Sequence, residues 1–238
     1  MLNREAFEKR DREDPLLSIR AEFSLPNTLI YLNGNSLGAL PVGVSKRISE
    51  VITTEWGHDL IHSWTKHHWM DLPIILGNKI ARLIGASPGE VIACDSTSVN
   101  LYKVLFAALS KSPKNQVILS DWTNFPTDLY IANGLISTVG RDVEIRLIDS
   151  SQIEKEIDSS VAVVFLTHVD FQHGARYDMK HITDLAHDAG ALVVWDLAHS
   201  AGAVPVELNF CEVDFAVGCG YKYLNGGPGA PAYLYVSK

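Results

Sequence analysis

Residues 179–196, MKHITDLAHDAGALVVWD, join two patterns of different period. The first half places apolar or small residues on one face of a helix: Ile182, Leu185, Ala186 and Ala189. Gly190 follows at the position where a helix typically ends. Residues 191–195 are then continuously apolar, as expected of a strand that is covered on both faces. The stretch therefore predicts a helix that leads into a buried strand.

Short apolar runs of the same kind recur from about residue 90 onward. They are rich in Val and Ile and occupy residues 91–94, 116–119, 143–148, 161–166, 213–217 and 232–236. Helical stretches such as residues 99–109 lie between several of them. This alternation predicts an α/β fold with a mostly parallel sheet covered by helices. Because ligands of such sheets bind beyond the carboxyl ends of the strands, candidate site residues are sought there.

The first 90 residues follow a different pattern. Residues 31–38, YLNGNSLG, form a loop rich in glycine and asparagine. Residues 43–84 predict helices that are interrupted by a stretch rich in His and Trp. We therefore predict an N-terminal helical extension with loops over residues 1–90 and a ligand-binding large domain over residues 91–238.

The composition excludes several classes of protein. Hydrophobic residues make up 47% of the 238 residues, so a sizeable core can be buried. The net charge of -8, without a basic stripe, argues against nucleic-acid binding. Residues 1–15 are charged throughout, unlike a signal peptide, and no apolar run approaches the roughly 20 residues that cross a bilayer. We expect a soluble, cytoplasmic protein without a membrane partner.

Neither the cysteines nor the histidines predict a metal site. The three cysteines are too few and too irregularly spaced for a zinc cage or a disulfide framework. His58 and His62 have the spacing of a metalloprotease helix, but Asp59 stands where that motif has its general-base Glu. No third ligand is evident nearby, so we predict no bound metal.

A carboxylate and a histidine follow the strand at residues 191–195. Asp196 ends that run, and a carboxylate buried there needs a partner. Asp196 suits the N-cap of a following helix. Alternatively, it suits the partner of the ring nitrogen of pyridoxal phosphate, because an aspartate keeps that nitrogen protonated and the protonated ring is an effective electron sink. His199 lies one helical turn further on and can orient the carboxylate or contact the cofactor ring.

Lys222 lies in a loop that is otherwise apolar, aromatic and rich in glycine, residues 218–227, GCGYKYLNGG. A lysine in such surroundings is either a surface residue with a covered stem or a desolvated nucleophile that attacks an aldehyde. The glycines allow a ligand to approach the backbone closely. Tyr221, beside the lysine, can donate a hydrogen bond to a phosphate.

Two strand-to-helix junctions supply further polar and aromatic groups. In residues 95–100, DSTSVN, free N–H groups and the three hydroxyls of Ser96, Thr97 and Ser98 suit an anion site, a helix cap or both. In residues 121–128, Phe125 can lie flat on a pyridine ring and Asp128 can add a polar contact. Each signal alone is weak, but their order along the sheet is the order that a pyridoxal site requires.

Six segments together resemble the successive signatures of the kynureninases, which are pyridoxal-phosphate enzymes of aminotransferase fold type I. They are YLNGNSLGALP (31–41), SWTKHHWMDLP (63–73), DSTSVNLYK (95–103), FPTD (125–128), WDLAHSAGAVPVELN (195–209) and GCGYKYLNGGPGAP (218–231). The pairing of Asp-x-x-His with a lysine is common to many class-V aminotransferases. The motifs LNGNSLG and YKYLNGGPG are narrower and favour kynureninase.

The resemblance implies roles for individual residues. Lys222 carries the cofactor covalently and moves protons, Asp196 pairs with the pyridine nitrogen, and Tyr221 reaches the phosphate and helps to protonate the departing carbon. Other cofactor contacts are implied for Thr97, Ser98, Phe125, Asp128, Thr167 and His199. Trp64 matches the position that faces the aromatic ring of the substrate.

The implied reaction is hydrolysis of L-kynurenine to anthranilate and L-alanine in tryptophan degradation, carried out by a homodimer. Preference between kynurenine and 3-hydroxykynurenine stays open. Because the resemblance ends just after the lysine loop and its next strand, we expect a fragment that lacks the small C-terminal domain and its carboxylate-binding arginine. The alternatives are another enzyme of this fold, such as a cysteine desulfurase or a class-V aminotransferase, and a non-catalytic remnant.

Overall fold

The computed structural model describes residues 3–112, 115–140 and 142–238, which fold around a seven-stranded sheet. The strands are β1 (Val91–Ala93), β2 (Val117–Asp121), β3 (Glu144–Ile148), β4 (Val161–Thr167), β5 (Leu192–Asp196), β6 (Phe215–Gly218) and β7 (Tyr233–Val236). The α-helices of this part of the chain are α1 (Arg4–Glu13), α2 (Val44–Glu50), α3 (Ser63–Lys66), α4 (Leu72–Ala81), α5 (Thr97–Lys111), α6 (Pro126–Ile136), α7 (Ile153–Glu156) and α8 (Met179–Asp188). Short 3-10 helices lie at Leu17–Glu22, Leu60–His62 and Ser150–Gln152, and a π-helix lies at Val51–Trp56.

The strand order is β1-β7-β6-β5-β4-β2-β3. All neighbours from β6 to β3 are parallel, whereas β7 is antiparallel to both β6 and β1. This arrangement confirms the predicted mostly parallel sheet. Because β7 runs against both of its neighbours, β1 points the same way as β2 to β6. The carboxyl ends of six strands therefore meet at one edge.

An apolar core lies on each face of the sheet. Along β4, Val163 and Phe165 belong to the core that α5 and α6 cover, while Val164 and Leu166 belong to the core that α8 covers. This division follows from the alternation of side chains along a strand. Every residue of β4 is buried, and each large apolar side chain contributes about 1.5–3 kcal/mol by its burial.

The predicted strands and helices are confirmed to within two residues at each end. Helix α5 begins earlier than predicted, at Thr97, because the Ser96 hydroxyl caps it by accepting from the Val99 N–H. Asp196 is the last residue of β5, so its carboxyl group is held by the sheet. The division of the chain at residue 90 stays a prediction. Among the described residues, no helix is both long and apolar enough to cross a membrane.

Helix α4 approaches β1 closely at Gly77. A Cβ at this position would lie 2.0 Å from the Val91 carbonyl oxygen. The glycine thus lets the helix backbone rest directly on the strand. Gly134 in α6 is a contrasting case, because a Cβ there would meet nothing within 4 Å.

We predict that alanine has opposite effects at these two helical glycines. Gly77→Ala forces α4 away from β1 and should lower the free energy of unfolding by roughly 1–3 kcal/mol. Gly134→Ala should raise the free energy of unfolding by up to about 1 kcal/mol, because alanine is the better helix former. Urea unfolding followed by circular dichroism measures both changes. A neutral or stabilising Gly77→Ala would contradict the close packing of α4 on β1.

Candidate active site

A cavity of about 220 Å³ opens at the carboxyl edge of the sheet. Its walls come from the segments that follow β1, β2, β5 and β6. The lining residues are Ser96, Thr97, Ser98, Phe125, Thr127, Asp128, Asp196, Ala198, His199, Cys219, Tyr221 and Lys222. The fold thus gathers all the predicted site residues in one lining except Thr167 and Trp64.

Two carboxyl groups in the cavity are almost completely buried. Asp196 is 3% exposed and Asp128 is 2% exposed. Asp196 Oδ1 accepts a hydrogen bond from the Ala198 N–H at 2.8 Å, whereas Asp128 Oδ2 has no partner among the described residues. Burial, and next the negative charge of Asp196, raise the pKa of Asp128 to about 9. Burial also raises the pKa of Asp196, but the Ala198 N–H and the charge of Lys222 oppose this shift. Near neutral pH the pair therefore keeps a proton on Asp128.

The amine of Lys222 is shielded from bulk water. The residue is 8% exposed, and its Nζ lies 2.7 Å from His199 Nε2. Burial, and next the charge of Lys222, lower the pKa of His199 to about 4. The imidazole is therefore neutral and accepts a hydrogen bond from the amine. The Nζ atom also lies 5.6 Å from the ring centre of Phe125 and 5.7 Å from that of Tyr221.

The start of α5 lies at one end of the cavity. Ser96 is the N-cap of this 15-residue helix, and Thr97 and Ser98 are its first residues. Their N–H groups make no backbone hydrogen bond within the part of the chain that the structure describes. Free N–H groups at a helix start attract an anion, and the three hydroxyls add donors.

Asn124 holds the segment that carries Phe125. Its side-chain oxygen accepts from the Phe125 N–H at 2.7 Å and from the Thr167 hydroxyl at 2.6 Å. Thr167 is the register partner of Asp196 in the adjacent strand, so it lies beside the carboxyl pair without lining the cavity. Its predicted contact with a cofactor stays a prediction. The Phe125 ring packs edge-on against Phe171, with ring centres 5.2 Å apart.

The loop YLNGNSLG braces the lysine loop from outside. The Gly38 N–H donates to the Tyr221 carbonyl oxygen at 2.9 Å. A Cβ at Gly38 would lie 2.2 Å from the Lys222 carbonyl oxygen and 2.4 Å from Asn225 Oδ1, so only glycine fits there. The Tyr31 hydroxyl closes the loop on itself by donating to the Leu37 carbonyl oxygen at 2.7 Å. The position of the amine therefore depends on a segment far away in sequence.

Trp64 lies on α3, outside the lining of the cavity, and is 46% exposed. Its ring packs edge-on against Trp69, with ring centres 6.0 Å apart. The predicted contact between Trp64 and a substrate ring stays a prediction. His58 precedes a 3-10 helix of which His62 is the last residue, so the two do not share one α-helical face, and His58 contacts Asp59. No group of three or more metal-ligating side chains occurs among the described residues.

One known protein family matches most of the chain. The family model described as "Aminotransferase class-V" matches residues 69–238. The chain belongs to the class-V aminotransferase family. The match covers the whole sheet, including the segments that carry Thr97, Asp128, Asp196 and Lys222.

Within the class-V family, curated relatives confirm the resemblance found in the motifs. The kynureninase of Deinococcus radiodurans is 54% identical over 233 residues, which are 96% of this chain and 56% of that protein. The kynureninase of Pseudomonas fluorescens is 51% identical over 232 residues, which are 95% of this chain and 56% of that protein. The chain thus spans a little over half the length of the curated relatives it matches.

A solved structure confirms the predicted fold type. A C-DES mutant, with glycine covalently linked to its PLP cofactor, superposes with a TM-score of 0.78. The match covers 92% of this chain and 59% of that one at 17% sequence identity. At this identity the likeness supports the class-V fold and nothing finer.

Sequence reasoning missed several residues that shape the site. The amide of Asn124 is recognisable afterwards, because Asn124 stands directly before Phe125, the N-cap of α6. Thr127, Ala198 and Cys219 also line the cavity, and no local pattern marks them. The brace at Gly38 depends on a contact between distant segments, which one sequence does not display.

We predict that Gly38→Ala loosens the lysine loop. The added methyl group must displace the carbonyl of Lys222, which should lower the free energy of unfolding by roughly 1–3 kcal/mol. The backbone amides of residue 38 and of Asn225 should also exchange faster with deuterium than in the unsubstituted protein. Gly34→Ala is the matched control, because its Cβ would make only an ordinary contact at 3.5 Å with Tyr223. Equal behaviour of the two variants would show that the brace is unimportant.

We predict that Asp128→Asn changes how stability depends on pH in the cofactor-free protein. The pKa of Asp128 is 3.8 in the unfolded chain, and burial, followed by the charge of Asp196, raises this pKa to about 9 in the folded protein. Between these values the folded state binds the extra proton, so the free energy of unfolding falls as pH rises. Asp128→Asn should flatten this decline, whereas the exposed Asp188→Asn should keep it. Urea unfolding at several pH values measures the slope, and an unchanged slope in Asp128→Asn would contradict the protonated state.

Proposed function

We propose that this chain binds pyridoxal 5'-phosphate in the cavity at the carboxyl edge of the sheet. We further propose that the protein to which it corresponds hydrolyses L-kynurenine to anthranilate and L-alanine. The observation that carries the proposal is the joint presence of a shielded amine, Lys222, and a buried carboxyl pair, Asp128 and Asp196, in one cavity. The relatives' name supplies the substrate.

The charges of the cavity suit this cofactor at both of its ends. The carboxyl pair is a buried negative site, with one oxygen of Asp128 unpartnered among the described residues, and a protonated pyridine nitrogen would neutralise it. The start of α5, with Thr97 and Ser98, would hold the phosphate. Phe125 would cover a face of the ring, and Tyr221 and His199 would complete the contacts. When bound, pyridoxal phosphate supplies an electron sink for carbanion charge on the substrate.

The residues around Lys222 suit proton transfer. Its Nζ atom would hold the cofactor covalently and, with substrate present, would take the α-proton. His199 Nε2 accepts a hydrogen bond from this amine and so orients it. Because the pKa of His199 is lowered to about 4, its ring is neutral at physiological pH and keeps this acceptor role there. Tyr221, the neighbouring residue, is proposed to protonate the carbon left after cleavage.

The substrate half of the site is proposed from the resemblance. Trp64 is proposed to face the aromatic ring of kynurenine, and Thr167 to contact the cofactor from beside Asp196. Hydrolysis breaks the Cβ–Cγ bond of the substrate, with water supplying the hydroxyl of anthranilate's carboxyl group and a proton going to the alanine β-carbon. Assembly as a homodimer in the cytoplasm belongs to the same proposal.

The cysteines argue against the desulfurase alternative. A desulfurase needs a reactive thiol that reaches the substrate sulfur. Cys211 and Cys219 are buried and Cys94 is partly buried. Burial raises the pKa of each of these thiols, which lowers the fraction present as the nucleophilic thiolate. None of the three cysteines therefore suits that role.

We predict that the purified chain takes up pyridoxal phosphate through Lys222. Borohydride reduction should fix the cofactor on the peptide that contains Lys222, and Lys222→Ala should abolish both the label and the visible absorbance. Lys103→Ala is the control, because this lysine lies on α5, is exposed and pairs with Asp95. Labelling elsewhere, or unchanged labelling in Lys222→Ala, would refute the site.

We predict a second, separable loss for Asp196→Ala. Removing the carboxylate should weaken cofactor binding at least tenfold, since a charge-assisted contact contributes about 1.5–3 kcal/mol. It should also remove most anthranilate formation from kynurenine, read by the fluorescence of anthranilate in the full-length counterpart. Near-normal turnover in this variant would contradict the proposed pairing with the ring nitrogen.

A further inference from the structure

A second cavity, of about 370 Å³, is lined by His168, by residues 176–180 around the start of α8 and by residues between 205 and 211. Thr167 and Asp196 end neighbouring strands with their side chains toward the face that α5 covers. The next residue after Thr167 in the chain, His168, turns to the other face and packs edge-on against Trp195, with ring centres 5.8 Å apart. His168 lines this second cavity, and no residue lines both cavities.

His168 is a buried polar group without a partner. It is 4% exposed, and its Nδ1 makes no hydrogen bond among the described residues. Burial, and next the charge of Arg176, lower its pKa to about 4, so the ring is neutral. An unsatisfied polar group at such a position is costly unless a ligand or water meets it.

Cationic and N–H groups converge on the same cavity. Arg176 lines it, is exposed, and makes no ion pair or side-chain hydrogen bond within the part of the chain that is described. Met179 and Lys180, the first residues of the ten-residue helix α8, also line it, and their N–H groups have no backbone partner among the described residues. A guanidinium beside a helix start is a setting for a carboxylate.

The rest of the lining suits an apolar body that carries a positive charge. Met179, Val206 and Phe210 offer apolar surface, and Phe210 is 71% exposed at the rim. Glu207 also lines the cavity and makes no ion pair within the described ranges. The second acidic lining residue, Asp178, is already engaged as the cap of α8, since it accepts from the His181 N–H. The volume is within the range of small-molecule sites.

We infer that this cavity binds a free α-amino acid with an apolar side chain. The carboxylate of the ligand is held by Arg176 and the first N–H groups of α8, and its ammonium group pairs with Glu207. Its side chain packs on Met179, Val206 and Phe210. The inference does not depend on the proposed function, because none of these residues lines the candidate active site.

The test uses L-phenylalanine as the probe and the backbone amides of Met179 and Lys180 as reporters. In nuclear magnetic resonance titrations of the chain, these amide signals should shift saturably with L-phenylalanine. Two analogues separate the charges: 2-phenylethylamine lacks the carboxylate and 3-phenylpropanoate lacks the ammonium group. Binding should weaken at least tenfold for the former and several-fold for the latter.

Variants assign the contacts. Arg176→Gln should weaken binding of L-phenylalanine at least tenfold and Glu207→Gln several-fold, whereas Arg82→Gln, at an exposed arginine elsewhere, should leave it unchanged. All three positions lie at the surface, so the variants are expected to fold. Absence of a saturable shift at Met179 and Lys180, or unchanged binding in Arg176→Gln, would overturn the site. Equal affinity for 3-phenylpropanoate would overturn the assignment to an amino acid.

Discussion

The site depends on a negative charge that the sheet holds away from water. Asp196 is the last residue of β5, so the sheet fixes its position. Asp128 lies in the first turn of α6, which places it beside Asp196. Burying a carboxylate costs several kcal/mol unless a partner offsets it. Without a ligand, the proton on Asp128 and the Ala198 N–H reduce that cost. Binding of a cationic group at this point is thereby coupled to the protonation of the pair.

The other parts of the site follow from strand order. β5 and β6 are adjacent, so the segments after them bring His199 and Lys222 within hydrogen-bonding distance although they are 23 residues apart. The helix starts that follow β1 and β2 approach from either side of this pair, one with hydroxyl and N–H groups and the other with Phe125. The N-terminal loop then fixes the lysine loop through Gly38. The carboxyl pair, the start of α5 and the Lys222 amine are consequently held by elements whose geometry the sheet determines.

The sequence carried the information about the central strands because β2, β4, β5 and β6 are buried on both faces and are therefore largely apolar. The same reasoning located Asp196 and Lys222, since a charge at the end of such a run is unusual. It did not reveal that Asp128 keeps a proton, because that depends on a neighbour 68 residues away in the chain. Nor did it reveal the brace at Gly38, which is a contact between backbones. Trp64 was assigned by resemblance, and its position outside the cavity lining leaves that role a prediction.

The place of β7 bears on how the molecule assembles. β7 joins β1 to the rest of the sheet. β1 (Val91–Ala93) can therefore pair with the sheet only after β7 (Tyr233–Val236) has formed. During synthesis from the N-terminus, α4, β1 and the start of α5 emerge early. The strand on which β1 docks, β7, emerges late. Such distant pairing slows folding and leaves apolar surface uncovered in the meantime. The end of the cavity formed by the start of α5 should accordingly be among the last regions to fold.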